Sequence, residues 1–287
     1  MARIRVVTDS ACDIPDEIAR RLNIDIVSLS IRFGDEEFTD RVDLSPEEFW
    51  AKCKASKTLP ETSAPSPGAF RVAYERARAD GCDGVIVLTL SALLSGTNQS
   101  AVTGIGELAD PMPVRVVDTK AVSMAEGLLV IDVAELAATG ADLDQLVAHA
   151  ESLVDKVGVV AMLDTLEHLI KGGRVGGARA LLGQVLSIKP LLELKDGVVA
   201  EAGRSRTRSK ALVAIVEVTK THAPLKRLAL VHGASSEVAN LQALAVGIAT
   251  ENPIIVTDMG PVVGTHGGPG IIGLCWIEAS RATPPLS

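Results

Sequence analysis

Short apolar runs rich in β-branched residues alternate with helical patterns along the first half of the chain. The runs "RIRVVTD" (3–9), "GVIVLTL" (84–90) and "PVRVVDT" (113–119) each precede a segment with the apolar spacing of a helix. This alternation favours parallel strands joined by crossover helices, because a parallel pair of strands needs a long connection. The sequence therefore predicts an α/β protein with a parallel sheet and helices on both of its faces.

From about residue 156 the chain continues as a second set of strands and helices. Predicted strands are "VGVVAML", "SIKPLLEL", "VVAEAG", "LKRLALVHG", "PIIVTDM" and "GIIGLCWIE", and predicted helices cover 166–182, 207–222 and 235–250. A chain of 287 residues is long enough for two domains of ordinary size. We expect an N-terminal α/β domain over 1–155 with a small irregular insert at about 31–67, a C-terminal α/β or α+β domain over 156–279, and a frayed tail over 280–287.

Capping signals mark the predicted starts of helices in the first half. Asp13 in "CDIPDEIARRL" is expected to cap one helix, and Ser45, which precedes a proline, is expected to cap another. Ser66 either caps the next helix or holds a ligand. The loop around it, "TLPETSAPSPGAF", contains three prolines and also displays Thr62 and Ser63. We regard it as a candidate binding loop.

The net charge and the scarcity of aromatic residues exclude several classes of partner. The chain carries a net charge of −8, whereas a nucleic-acid-binding protein needs basic side chains to neutralise phosphates. Aromatic residues make up 2% of the chain, which argues against base-stacking platforms and aromatic cages. Because 47% of the residues are hydrophobic, a ligand of this chain would meet aliphatic walls.

Cysteine spacing and hydropathy favour a soluble cytoplasmic protein. Cys12, Cys53, Cys82 and Cys275 form no C-x-x-C pair, so we expect reduced thiols. The apolar run in "MARIRVVTDS" is too short for a signal peptide. The apolar stretch "GLLVIDVAELAATGA" is interrupted by two acidic residues, well short of the roughly 18 apolar residues of a membrane helix.

Common cofactor and metal motifs are missing from the sequence. The segment "GPGIIG" matches G-x-G-x-x-G, but a dinucleotide fingerprint needs a βαβ unit and an acidic residue roughly 20 positions later. Only fourteen residues follow Gly273. The sequence contains neither G-x-x-x-x-G-K-[ST] nor G-x-S-x-G, and its five histidines show no ligand spacing. Neither a cofactor nor a metal is predicted.

Polar loops at predicted strand ends are the remaining candidates for a site. "LSALLSGTNQSA" places Ser95, Gly96 and Thr97 at the start of a helix, where free N–H groups suit an anion or where a hydroxyl simply caps the helix. "LIKGGRVGG" holds Arg174 between glycines and is otherwise a turn. "GTHGGPGIIG" places His266 among five glycines near the end of the chain.

Six stretches occur together in an order and spacing that resemble one protein family. They are "VVTDSACDIP", "TSAPSPGAF", "LSGTNQSA", "LIKGGRVGG", "RTRSKAL" and "VGTHGGPGIIG". Over about residues 1–278 the chain resembles the DegV family, the fatty-acid-binding subunits of the bacterial fatty acid kinase. The resemblance implies a two-domain α/β fold that holds one long-chain fatty acid in an interdomain tunnel. It implies a non-catalytic subunit that presents the carboxylate to a separate ATP-dependent kinase subunit for acyl-phosphate formation. Transient contact with a membrane is compatible with this role.

The resemblance also implies a set of residues around the fatty acid carboxylate. The implied ligand-binding residues are Thr62, Ser63, Ser95, Gly96, Thr97 and His266. His266 would orient or polarise the carboxylate for attack on phosphate. We interpret the glycines around it as leaving space for the incoming γ-phosphate.

Two arginines are implied to face the kinase, and two positions depart from the family pattern. Arg206 of "RTRSKAL" would lie near the tunnel mouth, and Arg174 is also expected to be partner-facing. Asn98 stands where tyrosine is commoner, which affects the expected shape of the tunnel. Gly267 stands where a β-branched residue is frequent, which loosens the backbone beside His266.

An enzymatic alternative uses some of the same residues. Ser95 could act as a nucleophile with His266 as base and Asp9 or Asp118 as the group that orients it, in a serine-type hydrolase or acyl transferase. The missing G-x-S-x-G elbow counts against this hypothesis. A lipid-sensing transcription regulator is a third hypothesis, but the acidic charge and the missing recognition helix argue against direct DNA contact.

Overall fold

The computed structural model describes residues 2–181 and 188–279. The predicted tail, 280–287, and the last residue of the predicted helix 166–182 lie outside the described residues. Within the described part the strands are β1 (Ile4–Asp9), β2 (Ile24–Val27), β3 (Ser30–Phe33), β4 (Glu36–Thr39), β5 (Glu61–Ser63), β6 (Gly84–Thr89), β7 (Val114–Asp118), β8 (Val157–Met162), β9 (Lys189–Lys195), β10 (Val198–Ser205), β11 (Leu225–His232), β12 (Ile255–Asp258) and β13 (Ile272–Glu278).

The α-helices of the described residues connect these strands. They are α1 (Asp16–Arg21), α2 (Pro46–Ala55), α3 (Pro67–Ala79), α4 (Thr97–Ile105), α5 (Met124–Ala138), α6 (Leu143–Val154), α7 (Glu167–Lys171), α8 (Arg208–Lys220), α9 (Val238–Ala245) and α10 (Pro261–Gly267). None of them is long and apolar enough to cross a bilayer.

The first half forms the predicted parallel sheet. Its strand order is β2-β1-β6-β7, and all neighbouring strands are parallel. Side chains alternate between its faces, so Val85 and Val87 pack with α3 and α4, while Ile86 and Leu88 pack with α5. The prediction of an α/β fold with helices on both faces of a parallel sheet is confirmed.

Residues 30–63 contribute a small antiparallel sheet in the order β4-β3-β5. Within the predicted irregular insert, β3 and β4 form a hairpin, and the third strand, β5, was not predicted. Ser45 accepts a hydrogen bond from Glu48 N and forms a capping box at the start of α2, as expected.

The second half forms a six-stranded mixed sheet in the order β10-β9-β8-β13-β11-β12. Only β11 and β12 pair in parallel among the described strands of this sheet. One face packs against α8 and α9, and the other face contributes Ala161, Ala229 and Cys275 to the cluster around α5. The division of the chain into two domains near residue 155 stays a prediction.

Helix α5 lies between the two large sheets. Every residue from Met124 to Ala134 is buried, and the helix contacts β1 of the parallel sheet as well as β8, β11 and β13 of the mixed sheet. A helix that is buried on all sides needs apolar residues all round. Burial between the two sheets therefore explains why "GLLVIDVAELAATGA" is so apolar.

Two sequence predictions about helices are wrong. Asp13 does not cap a helix: its φ is +52°, and α1 begins only after Pro15, because the buried Asp13 carboxyl group binds distant groups instead. The predicted single helix 166–182 is interrupted after α7, where Gly173 has a φ of +72°, and residues 176–181 form a 3₁₀ turn. Glycine weakens helices and permits such a break.

Candidate functional site

A cavity opens between the parallel sheet and the mixed sheet. Its empty space, including the opening to solvent, is about 910 Å³. Sixteen of the 23 described residues that line it are aliphatic, among them Leu29, Leu90, Val159, Met259 and Ile271. Small-molecule sites are usually lined by hydrophobic and aromatic side chains with a few polar groups, and the apolar part of this wall is aliphatic. The cavity is therefore suited to a long apolar ligand.

A polar cluster forms one part of the cavity wall. Thr62, Ser95, Arg174 and His266 all line the cavity. Thr62 Oγ1 and His266 Nε2 are hydrogen-bonded at 2.8 Å, although the two residues are 204 positions apart. The structure thus brings together three sequence-predicted ligand residues and one predicted partner-facing arginine.

Strand β5 places Thr62 and Ser63 on opposite sides. Thr62 pairs with Ile31 of β3, and Ser63 pairs with Ser30. Successive side chains of a strand point to opposite faces, so only one of the two hydroxyls can enter the cavity. Thr62 does, whereas Ser63 is exposed and is not among the lining residues.

The loop after β6 contributes Ser95. Its hydroxyl is hydrogen-bonded to Thr97 Oγ1 at 2.9 Å, and Thr97 is fully buried. Gly96 is exposed and occupies the N-cap position of α4. Asn98 donates to Thr89 Oγ1 at 3.0 Å, so its side chain is used within the fold. Of these residues, Ser95 alone is among those that line the cavity.

His266 lies on a short helix, α10, where we expected a flexible loop. A Cβ at Gly264 would lie 2.9 Å from Phe49 and Trp50, and one at Gly267 would lie 2.5 Å from Ile271. Gly268 and Gly270 have φ values of +77° and +82°. These glycines permit close packing and a turn, and the interpretation that they also leave space for a phosphate stays a prediction.

Burial keeps the His266 ring neutral. Burial, together with the charges of Arg174 and His168, lowers the pKa of His266 to about 4. Among the described residues, Nδ1 is buried and has no hydrogen-bond partner. A neutral imidazole can donate from one nitrogen and accept at the other, so the ring can polarise or orient a polar group without adding a charge.

Gly172 is a site residue that sequence reasoning missed. A Cβ at this position would lie only 2.3 Å from His266 Nδ1. The paired glycines of "LIKGGRVGG" were the available signal, and we had assigned them to a turn. Their proximity to a histidine 94 positions later is a tertiary contact.

Arg174 and Arg206 occupy different environments. Arg174 lines the cavity, and its guanidinium donates to Leu94 O at 3.1 Å and to Gly172 O at 2.5 Å. Arg174 therefore forms part of the cavity wall, and its expected position facing a partner stays a prediction. Arg206 is exposed just before α8 and is not among the lining residues.

The hydrogen bonds do not assemble a Ser–His–Asp triad from the predicted residues. Ser95 pairs with Thr97, and His266 pairs with Thr62. The Asp9 carboxylate accepts from Ala11 N and Leu90 N, and Asp118 accepts from Ala92 N and Lys120 N. A histidine with a pKa near 4 is also a weak base at neutral pH. The geometry therefore favours a binding site over a serine hydrolase.

Several buried carboxyl groups lie near the carboxyl ends of β1 and β6. Burial raises the pKa of Asp9 and of Asp13 to about 7, and burial with the nearby Asp9 charge raises the pKa of Glu126 well above its ordinary value. Glu126 accepts from Thr8 Oγ1 at 3.0 Å. Sequence patterns single out Asp9 and Asp13 separately and do not predict that buried acids cluster here, because burial of an acid is not visible in local patterns.

Comparison with known proteins identifies the family. The fold is that of an α/β protein with a largely aliphatic cavity between its two large sheets. The chain matches the sequence profile described as "Uncharacterised protein, DegV family" over residues 3–279, and it belongs to the DegV family. It is 33% identical to a DegV domain-containing protein of Listeria monocytogenes over 280 residues, covering 96% of this chain and 98% of the relative.

Solved structures of related proteins share the fold. A fatty-acid-binding DegV family protein from Thermus thermophilus has a TM-score of 0.88 and 35% identity, covering 96% of this chain and all of the other. DegV from Bacillus subtilis, described as a fatty acid binding protein, has a TM-score of 0.85 and 30% identity, covering 97% of this chain and all of the other. This chain is thus similar to proteins that bind fatty acids.

Proposed function

We propose that this chain binds one long-chain fatty acid in the cavity and presents its carboxylate to a separate ATP-dependent kinase in the cytoplasm. The observation that carries the proposal is the cavity itself, which combines aliphatic walls with a polar cluster of Thr62, Ser95, Arg174 and His266. The similarity to DegV proteins described as fatty acid binding supports the choice of ligand.

The acyl chain supplies most of the binding free energy in this proposal. Burial of a methylene group contributes about 0.8 kcal/mol, so an acyl chain of ordinary length binds tightly against aliphatic side chains. Wall residues such as Leu29, between β2 and β3, and Val159, on β8, come from distant parts of the chain. Aromatic residues are not needed for such a ligand.

The carboxylate is proposed to lie at the polar cluster. The hydroxyls of Thr62 and Ser95 can donate to it, and the positive charge of Arg174 favours its ionised form. His266 orients or polarises it through a neutral ring. Ser63 and Thr97 are assigned supporting roles, Ser63 through its pairing with Ser30 and Thr97 through its hydrogen bond to Ser95.

The phosphoryl donor is proposed to come from the partner. The sequence has no Walker-type phosphate loop, so ATP is expected to be bound by the kinase. A carboxylate oxygen would attack the γ-phosphorus, forming the acyl-phosphate bond and releasing ADP. Exposed Arg206 is proposed to contact the kinase rather than the lipid.

The direct test is organic extraction of the purified protein followed by mass spectrometry. We expect about one fatty acid per chain, and added oleate should exchange with it. Extraction that yields no lipid, together with no uptake of oleate, would refute the proposal. Stoichiometric labelling of Ser95 by a fluorophosphonate would instead support the hydrolase hypothesis.

The kinase contact is tested separately with Arg206→Ala. Because Arg206 is exposed and outside the cavity, we expect oleate affinity to stay within about twofold. Kinase-coupled turnover should fall several-fold, because a charge at the edge of a protein–protein interface mainly affects the rate at which the two proteins associate. Lys220→Ala, an exposed charge at the other end of α8, is the control. Loss of oleate uptake in Arg206→Ala would place this side chain at the lipid instead.

A further inference from the structure

One buried carboxyl group connects the helix that carries His266 to another residue of the cavity wall. Asp13 is 4% exposed. Its Oδ1 accepts a hydrogen bond from Gly260 N at 2.8 Å, and its Oδ2 accepts one from Ser123 Oγ at 2.5 Å. Gly260 immediately precedes α10, and Ser123 lines the cavity just before α5. Three segments distant in sequence therefore meet at one side chain.

The backbone at both ends of the Asp13–Ser123 hydrogen bond adopts uncommon conformations. Asp13 has a φ of +52°, and Ser123 has a φ of +58° with a ψ of −149°. Side chains other than glycine occupy such regions only where the surrounding structure holds them. Ser123 N is held by a hydrogen bond to Ala11 O at 2.9 Å. The structure thus fixes the two side chains toward each other despite the backbone strain.

The path from Asp13 to the imidazole is short. Gly260 O accepts from Gly264 N at 2.9 Å, and Thr265 Oγ1 donates to Pro261 O at 2.8 Å, so α10 is tied to its own first residues. The helix has only seven residues. A shift of Gly260 is therefore expected to carry the His266 ring with it and away from Thr62, which is held independently on β5.

We propose that Asp13 is a positioning residue for His266. Its carboxyl group sets the start of α10 against Ser123 and so fixes the imidazole at hydrogen-bonding distance from Thr62. The expected effect on turnover rests on the proposed function, whereas the position of the ring can be measured in this protein alone.

The test compares three variants of Asp13 and its neighbourhood. Asp13→Gly removes the carboxyl group and tolerates the positive φ. Asp13→Asn keeps the bridge, because the amide oxygen can accept from Gly260 N and the amide nitrogen can donate to Ser123 Oγ. Asp40→Asn is the matched control: Asp40 is fully buried nearby, but the Gly260 and Ser123 hydrogen bonds go to Asp13.

Two measurements are made on each variant. The first is the NMR signal of the His266 ring, assigned by its loss in His266→Gln, and the second is kinase-coupled turnover of oleate. In Asp13→Gly we expect the His266 signal to shift or broaden and turnover at saturating oleate to fall roughly 10- to 100-fold, as misplaced groups do. Asp13→Asn and Asp40→Asn should resemble the wild type in both measurements.

An unchanged His266 signal and unchanged turnover in folded Asp13→Gly would overturn the proposal, even if the melting temperature fell. If Asp13→Gly fails to fold, Ser123→Ala removes one of the two hydrogen bonds and should shift the same signal by less; no shift would overturn the proposal. If the wild type shows no turnover with a kinase, the proposed function fails, and the ring signal still decides the role of Asp13.

Discussion

His266 combines a hydrogen bond to Thr62 with a pKa of about 4, so its ring is neutral at physiological pH. If it orients the carboxylate for attack on phosphate, His266→Ala should lower acyl-phosphate formation by roughly 10² to 10⁴. Oleate affinity should barely change, because the buried acyl chain supplies most of the binding free energy. Kinase-coupled turnover and lipid affinity, measured on the same preparation, separate the two effects. Full turnover at saturating lipid would contradict the assignment.

Gly172 offers a second test at the scale of one residue. Its φ of −71° suits alanine, so Gly172→Ala changes only the space beside His266 Nδ1, where the new methyl group would lie 2.3 Å away. The ring must move, so we expect turnover to fall about tenfold or more and the unfolding free energy to fall by about 1–3 kcal/mol, the usual cost of overpacking. Gly247→Ala is the control, since a Cβ there meets no atom within 4 Å. Equal turnover in the two variants would show that the ring position is unimportant.

At the scale of an element, successive side chains of strand β5 point to opposite faces, so Ser63 serves as a control for Thr62. Thr62 faces the cavity and Ser63 faces solvent. Thr62→Val keeps the shape and removes the hydroxyl, so we expect oleate affinity to fall about tenfold, the loss typical of one hydrogen bond to a charged group. Ser63→Ala should change affinity by less than about twofold. Titration with oleate measures both, and equal losses would mean that the strand register around the ligand differs.

The elements differ in how well the sequence predicted them. The strands β1, β6 and β7 were visible because buried parallel strands are long β-branched runs, and α2 was visible through its Ser45 signal. Strand β5 has three residues between prolines, too few to show a pattern. The glycines of α10 predict a loop, and the residues that pack against them lie far away in sequence. The Thr62–His266 contact likewise depends on tertiary structure.

At the scale of the whole molecule, the buried acids give stability a specific pH dependence. The folded-state pKa of Asp13 is about 7, above the ordinary 3.8 of the unfolded chain, so folding favours the protonated form. This contribution is complete below about pH 4 and is lost as the pH rises to about 7, with a slope of at most roughly 1.4 kcal/mol per pH unit for each such group.

His266 changes the pH dependence of stability in the opposite direction from Asp13, because folding lowers the pKa of His266 from 6.5 to about 4. Its contribution to stability is present above pH 6.5 and is lost as the pH falls toward 4.

The contribution of Asp13 can be tested with Asp13→Asn. We expect the unfolding free energy of this variant, measured by denaturant titration, to depend less steeply on pH between pH 5 and 7 than that of the wild type. An identical slope in the two proteins would mean that Asp13 is ionised in the folded state across this range.

The cavity wall draws on nearly the entire length of the chain, from Leu29 near the beginning to Ile271 near the end. During synthesis the first wall residues leave the ribosome long before the last ones, at roughly 5 to 20 residues per second. A growing chain therefore exposes aliphatic side chains for about ten seconds or more without the site that shelters them. In the proposed function a fatty acid can bind only after synthesis is almost finished, and its binding then stabilises the folded state of the newly made protein.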